Sequence, residues 1–152
     1  MTNKKAHIYL IDDDLSILHS LQRMLEDIGY DVKAFNSAQS FLADSMPLSP
    51  AVILLDMQMP DMRGLELQER LKGLGRTTPI IFISGQSQPI EIVKSLKHGA
   101  IDFLFKPFNL EVLLSAINIA IEFDKKQLQR ISKEVQIKQR YETLTPREKE
   151  VC

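Results

Sequence analysis

Cysteine is almost missing from this chain: its one copy, Cys152, is also the last residue. That excludes an intrachain disulfide and fits a reducing compartment. Nowhere do about 18 uncharged apolar residues follow one another, the length a membrane-spanning helix needs. The start, Met1-Thr-Asn-Lys-Lys-Ala-His7, runs straight into a strand-like segment with no apolar signal region. These absences predict a soluble cytoplasmic protein with no membrane partner. A Gly-rich phosphate loop and a Cys/His cluster are also lacking, which argues against ATP, dinucleotides and zinc.

Strong net charge is absent too, at −1 overall. Residues 1–121 carry 11 Lys/Arg against 14 Asp/Glu, and 122–152 carry 8 against 6. Binding to a nucleic-acid backbone needs clustered basic charge. The first 121 residues offer none, so any DNA contact must come from elsewhere.

What the chain does have is repetition. Short runs at 8–11, 31–35, 51–55, 80–83 and 101–105 are rich in β-branched or aromatic residues and alternate with stretches of helical period. Such alternation predicts a doubly wound α/β domain built on a parallel sheet. Helices are expected near 15–28 (Leu18, Leu21, Leu25 and Ile28, closed by Gly29), 37–44 capped by Ser37, 64–74, and 89–98 ending at Gly99. A fifth follows Asn109, with Val112, Leu113, Ala116, Ile117 and Ala120 as its buried stripe. From 122 to 142 Gly and Pro are absent and helix formers prevail, so this helix is expected to continue as a linker. Ile117, Ile121, Leu128, Ile131 and Val135 fall near a seven-residue repeat that Asp124 and Lys138 spoil, leaving a solvated linker or a short coiled coil.

Four of the five runs end on residues suited to phosphate or metal. The first leads into Asp12-Asp13-Asp14, the third into Asp56, the fourth into Ser84-Gly85 and the fifth into Lys106-Pro107. In an open parallel sheet these carboxyl ends share one edge, where ligands bind. Asp56 ends an uncharged run and is placed for nucleophilic attack. Asp12 and Asp13 beside it would repel it and raise its pKa, a conflict that a hard divalent cation such as Mg²⁺ removes. Asp14 reads as the cap of the first helix. Lys106 could pair with Asp56 at rest or with a phosphoryl oxygen later, and the Lys-Pro bond is a candidate for the cis form. Ser84 offers a hydroxyl donor, and Gly85 permits close backbone approach.

With these motifs in order, residues 6–121 resemble the receiver domain of bacterial two-component response regulators. The resemblance rests on Asp12-Asp13, Asp56-Met-Gln-Met-Pro60-Asp-Met-Arg-Gly64, Ser84-Gly85 and Lys106-Pro107-Phe108. It implies a flavodoxin-like sheet of order 2-1-3-4-5. It also implies that Asp56 takes a phosphoryl group from a histidine kinase, that Asp13, Asp56 and the Gln58 carbonyl hold Mg²⁺ with Asp12 nearby, and that Lys106 neutralises the phosphoryl group. Ser84 and Phe103 would be the switch pair, acting on a face of helix 4, strand 5 and helix 5. Ser84 replaces a more frequent threonine, and Gln58 sets an amide beside the acceptor.

Leu144-Thr-Pro-Arg-Glu-Lys-Glu-Val-Cys152 resembles the opening of a LuxR-type helix-turn-helix domain, with Thr145 as N-cap, Pro146 at N1 and Glu148 at N3. The pattern there is helical with no stop signal, which predicts further chain. The expected division is thus a receiver over 1–121, a helical linker over 122–142 and the start of an output domain over 143–152. The resulting reading is a non-enzymatic switch of the FixJ branch that dimerises on phosphorylation and contacts DNA only through a following domain. Two alternatives compete. A haloacid-dehalogenase-like phosphatase needs a second acid two residues after its nucleophile, where this chain has Gln58. A receiver-like interaction module would work without phosphate.

Overall fold

The computed structural model describes residues 6–45 and 50–143, with side chains to 139. Five strands alternate with five helices: β1 (His7–Ile11), α1 (Leu15–Ile28), β2 (Asp31–Phe35), α2 (Ala38–Leu42), β3 (Ala51–Asp56), α3 (Gly64–Gly73), β4 (Ile80–Ser84), α4 (Pro89–Lys97), β5 (Asp102–Phe105) and α5 (Leu110–Thr143). All strand pairs are parallel, in the order β2-β1-β3-β4-β5. The architecture expected from sequence is the one found.

Side-chain alternation along the strands splits the core in two. Ile8, Leu10, Val52, Leu54, Ile81, Ile83 and Leu104 pack under α1 and α5, against Leu18, Leu25, Leu113 and Ile117. Tyr9, Ile11, Ile53, Leu55, Phe82 and Phe103 pack on the other face, against Phe41, Leu67 and Leu71. The same parity sorts the residues that follow. Asp12, Asp56 and Lys106 continue the alternation of Leu10, Leu54 and Leu104, whereas Ser84 continues that of Phe82. The acids and the lysine therefore leave the sheet toward one side and the hydroxyl toward the other.

Local chemistry fixes the helix starts. Asp14 Oδ1 accepts from the N–H groups of Ser16 at 3.0 Å and Ile17 at 3.3 Å, a cap worth about 1 kcal/mol. Ser37 caps α2, and Asn109 Oδ1 accepts from Glu111 N–H at 2.7 Å. Gly29 ends α1 with φ 119°, in the left-handed region that favours glycine.

One helix face differs from expectation, and a second is turned to solvent. Val112 is exposed at 51 %, and the buried stripe of α5 instead runs through Leu113, Ala116, Ile117, Ala120, Ile121 and Asp124. In α4 the apolar Ile90, Val93 and Leu96 all face solvent, and Ser95 is the buried residue. Periodicity reports that a helix has an apolar side, not which neighbour that side meets. Helix α5 does continue without a break to Thr143. Its Ile117 and Ile121 lie against the sheet, so only Leu128, Ile131 and Val135 of the seven-residue pattern remain for a second helix. That is short of the three or four heptads a coiled coil generally requires. The predicted cap at Thr145 lies outside the described residues.

Candidate functional site

Register brings the charged residues together. Because β1 lies beside β3, Ile11 pairs with Leu55, and the residues that follow each strand emerge side by side. Oxygens of Asp12, Asp13 and Asp56 lie within 4.8 Å of one another. Asp12 and Asp56 are buried, at 7 % and 6 % exposure, while Asp13 is exposed. Lys106 crosses from the end of β5, its Nζ 2.9 Å from Asp12 Oδ2 and 3.8 Å from Asp56 Oδ1. The sequence suggested Asp56 as the resting partner of Lys106; Asp12 is the nearer one. The Lys106–Pro107 bond is cis, and Lys106 N–H donates to Ser84 O at 2.8 Å.

Three carboxylates against one ammonium leave a deficit of positive charge. Burial, then Asp12, push the Asp56 carboxyl up to about 6, with Asp13 adding to the rise; Lys106 and the Gln58 N–H, which donates to Asp56 Oδ1 at 3.3 Å, pull the other way. Asp56 is therefore mostly ionised at neutral pH, but at a cost. An all-oxygen donor set with excess negative charge matches a hard divalent cation. Soft or thiophilic metals have nothing to bind here.

The turn from β3 into α3 is closed by Gly64 N–H donating to Met57 O at 3.0 Å, and its Asp61 carboxylate accepts from Gln39 N–H at 3.1 Å. Gln58 reaches from this turn to the next one: its Nε2 donates to Gln86 O at 2.8 Å. The same carbonyl accepts from Ser84 Oγ at 2.9 Å, and Ser84 Oγ itself accepts from Ser87 Oγ at 2.8 Å and Gln86 N–H at 3.2 Å. The Ser84 hydroxyl is thus engaged within its own loop rather than with Asp56. Phe103 is buried and lies over Phe82, ring centroids 6.1 Å apart at 28°, while Phe105 beside it is half exposed. Of the expected site residues, Asp12, Asp13, Asp56 and Lys106 meet in one cluster, and Gln58 joins it through its backbone N–H. Ser84 and Phe103 sit on the opposite face. The Gln86 carbonyl was not foreseeable, since a backbone acceptor carries no residue signature.

An open parallel α/β sheet of order β2-β1-β3-β4-β5 with three clustered acids and a lysine at its carboxyl edge defines the structural class of this domain. Comparison with known proteins narrows this. Residues 8–118 match the response regulator receiver domain, and the chain belongs to that family. It is 41 % identical over 151 residues to response regulator protein TmoT of Ectopseudomonas mendocina, a match covering 99 % of this chain and 69 % of TmoT. It is 36 % identical to transcriptional regulatory protein FixJ of Bradyrhizobium diazoefficiens, covering 97 % of this chain and 72 % of FixJ. Among solved structures, response regulator StyR superposes with a TM-score of 0.91 at 35 % identity, over 97 % of this chain and 74 % of StyR. The amino-terminal part of FixJ gives 0.69 at 36 % identity, over 78 % of this chain and 95 % of that one. The chain spans about two thirds of the length of such curated relatives as TmoT and TodT.

Proposed function

We propose that this receiver accepts a phosphoryl group on Asp56 from the phosphohistidine of a sensor kinase, with Mg²⁺, and so controls dimerisation and an attached DNA-binding output. The observation that carries the reading is the convergence of Asp12, Asp13 and Asp56 with Lys106 Nζ at 2.9 Å from Asp12. In the transfer an Asp56 carboxylate oxygen forms a bond to phosphorus as the N–P bond breaks. The imidazole nitrogen keeps that electron pair and takes up a proton. When bound, Mg²⁺ would supply positive charge to the carboxylates and the phosphoryl oxygens; Asp13, Asp56 and the Gln58 carbonyl would hold it, with Asp12 beside it. The chain is in this reading a stoichiometric acceptor rather than an enzyme, and it works in the cytoplasm.

Switching follows from the bonds that must change. A phosphoryl group adds roughly −1.5 to −2 charges. Lys106, already within 3.8 Å of Asp56 Oδ1, needs only a small reorientation to pair with it. For Ser84 to donate to a phosphoryl oxygen, its hydroxyl must leave Gln86 O. A charge-assisted hydrogen bond contributes about 1.5–3 kcal/mol and a neutral one about 1 kcal/mol, so phosphorylation favours the move. The loop at 85–88 then follows, and with it α4. Phe103 is already packed inward, so in this reading the loop and α4 carry most of the change.

The surface that would respond is apolar: Ile90, Val93 and Leu96 of α4, Phe105 of β5 and Val112 and Ile119 of α5 are all exposed. A second copy of the chain is its proposed partner in the phosphorylated state. No helix among the described residues is long and apolar enough to cross a membrane. Beryllofluoride, which activates the related DrrB and NtrC4 receivers, gives the test. With Mg²⁺ it is expected to convert the wild type from monomer to dimer in sedimentation, and Ile90→Asp should abolish the conversion without abolishing beryllofluoride binding. Tight beryllofluoride binding with no change in mass would remove the dimer from the account.

A further inference from the structure

One buried carboxylate has no part in the phosphate site. Asp124 lies in α5, is 4 % exposed, and is held by neutral donors. Its Oδ2 accepts from Ala51 N–H at 2.8 Å and its Oδ1 from Gln127 Nε2 at 3.2 Å. Gln127 Nε2 also donates to Thr77 O at 2.9 Å. Burial pushes the Asp124 carboxyl above its ordinary range while these two bonds restrain the rise.

Each partner needs the other. Ala51 is 2 % exposed at the first position of β3, where a buried N–H must find an acceptor. A carboxylate taken out of water must likewise be hydrogen-bonded. The apolar contacts of Ile117, Ala120 and Ile121 hold α5 to the sheet but are not directional. The Asp124 bonds are directional: turning the helix by one residue, about 100°, would swing the carboxylate away from Ala51. Among the described side chains of α5, Gln127 and Leu128 are the last half-buried ones, and 129–139 are all exposed. The grip also falls on the amino end of β3 and on the segment leading into β4, the strands whose other ends carry Asp56 and Ser84.

We propose that Asp124, assisted by Gln127, is a positioning residue: a clasp that fixes the rotation and direction with which the α5 arm leaves the receiver. The arm as far as Leu128 then moves as one body with the sheet, and any freedom starts beyond it. This is the registry role best attested for buried polar groups. It does not depend on the phosphoacceptor reading.

The test uses the whole chain with Cys152→Ser and spin labels at Lys126→Cys, exposed on the clasped part of the arm, and Glu69→Cys on α3. Pulsed electron resonance reads the distance distribution, and amide exchange is followed in parallel. Wild type is expected to give one narrow distance. Asp124→Ala should broaden it and speed exchange at Ala51 and 122–128 by roughly ten- to a hundredfold, with protection in β1 retained. Asp124→Asn, which keeps an oxygen for the Ala51 N–H, should restore most of the narrowness. Gln127→Ala should broaden the distribution less, and it carries the test alone should Asp124→Ala not fold. An unchanged distribution in Asp124→Ala or, in that event, in Gln127→Ala overturns the proposal. So does exchange that rises evenly over the whole sheet, or an Asn variant as broad as the Ala variant.

Discussion

In metal-free buffer at pH 7.5, Asp56→Asn is expected to unfold at a higher urea midpoint than the wild type, and the advantage should vanish by about pH 4. The cause is the carboxyl raised from 3.8 to about 6 by burial and by Asp12. Between those values the folded state holds a proton that the unfolded chain has released. Stability from this group is therefore fully present below about pH 4 and lost as pH rises through about 6. The full climb corresponds to an upper bound of about 3 kcal/mol, which a neutral asparagine of the same shape avoids. Adding Mg²⁺ should narrow the gap, because a cation that binds only the folded wild type stabilises it by mass action. Wild-type and variant stability curves that run parallel from pH 4 to 8 would show that Asp56 is not under electrostatic stress.

The second large effect is expected at Gly64, the first residue of α3. A Cβ there would lie 2.8 Å from Phe82 Cε1, 3.0 Å from Met57 Cα and 3.2 Å from Met57 Sδ. Phe82 is fully buried and the nearer Met57 contact is backbone, so neither can give way cheaply. Overpacking of this kind costs about 1–3 kcal/mol, more than the gain of up to about 1 kcal/mol from replacing glycine in a helix. Gly64→Ala should therefore lower the urea midpoint and, by displacing the turn closed through Met57 O, weaken Mg²⁺ binding. Gly73, at the far end of the same helix, has nothing within 4 Å of its Cβ position. Gly73→Ala is the control and should be neutral or stabilising. A Gly64→Ala protein as stable as the Gly73→Ala protein would mean the turn is looser than described.

The sequence made the sheet and its acidic edge readable for a specific reason. A strand buried on both faces must be apolar throughout, so the charged residue that ends it stands out, as Asp56 does after the fully buried 51–55 run. Helix caps were readable because Asp14, Ser37 and Asn109 act on N–H groups two or three residues away. What escaped depends on distant partners. Lys106 chooses Asp12, 94 residues away in sequence, only once β3 and β4 separate their strands. Asp124 looked like a charge spoiling an apolar repeat, because nothing nearby shows that the Ala51 N–H, 73 residues away, will need it. The exposed side of α4 has the same period whether it meets a core or solvent. Val112 misled for the related reason that α5 turns its apolar width toward the sheet and toward solvent alike.

Intact-mass measurement after incubation with acetyl phosphate and Mg²⁺, with Asp56→Asn alongside and fragmentation to locate the adduct, tests the central claim most directly. One phosphoryl group on Asp56 of the wild type, not formed when Mg²⁺ is chelated beforehand and missing from the variant, is the expected result. An adduct of full stoichiometry on Asp56→Asn would contradict the account.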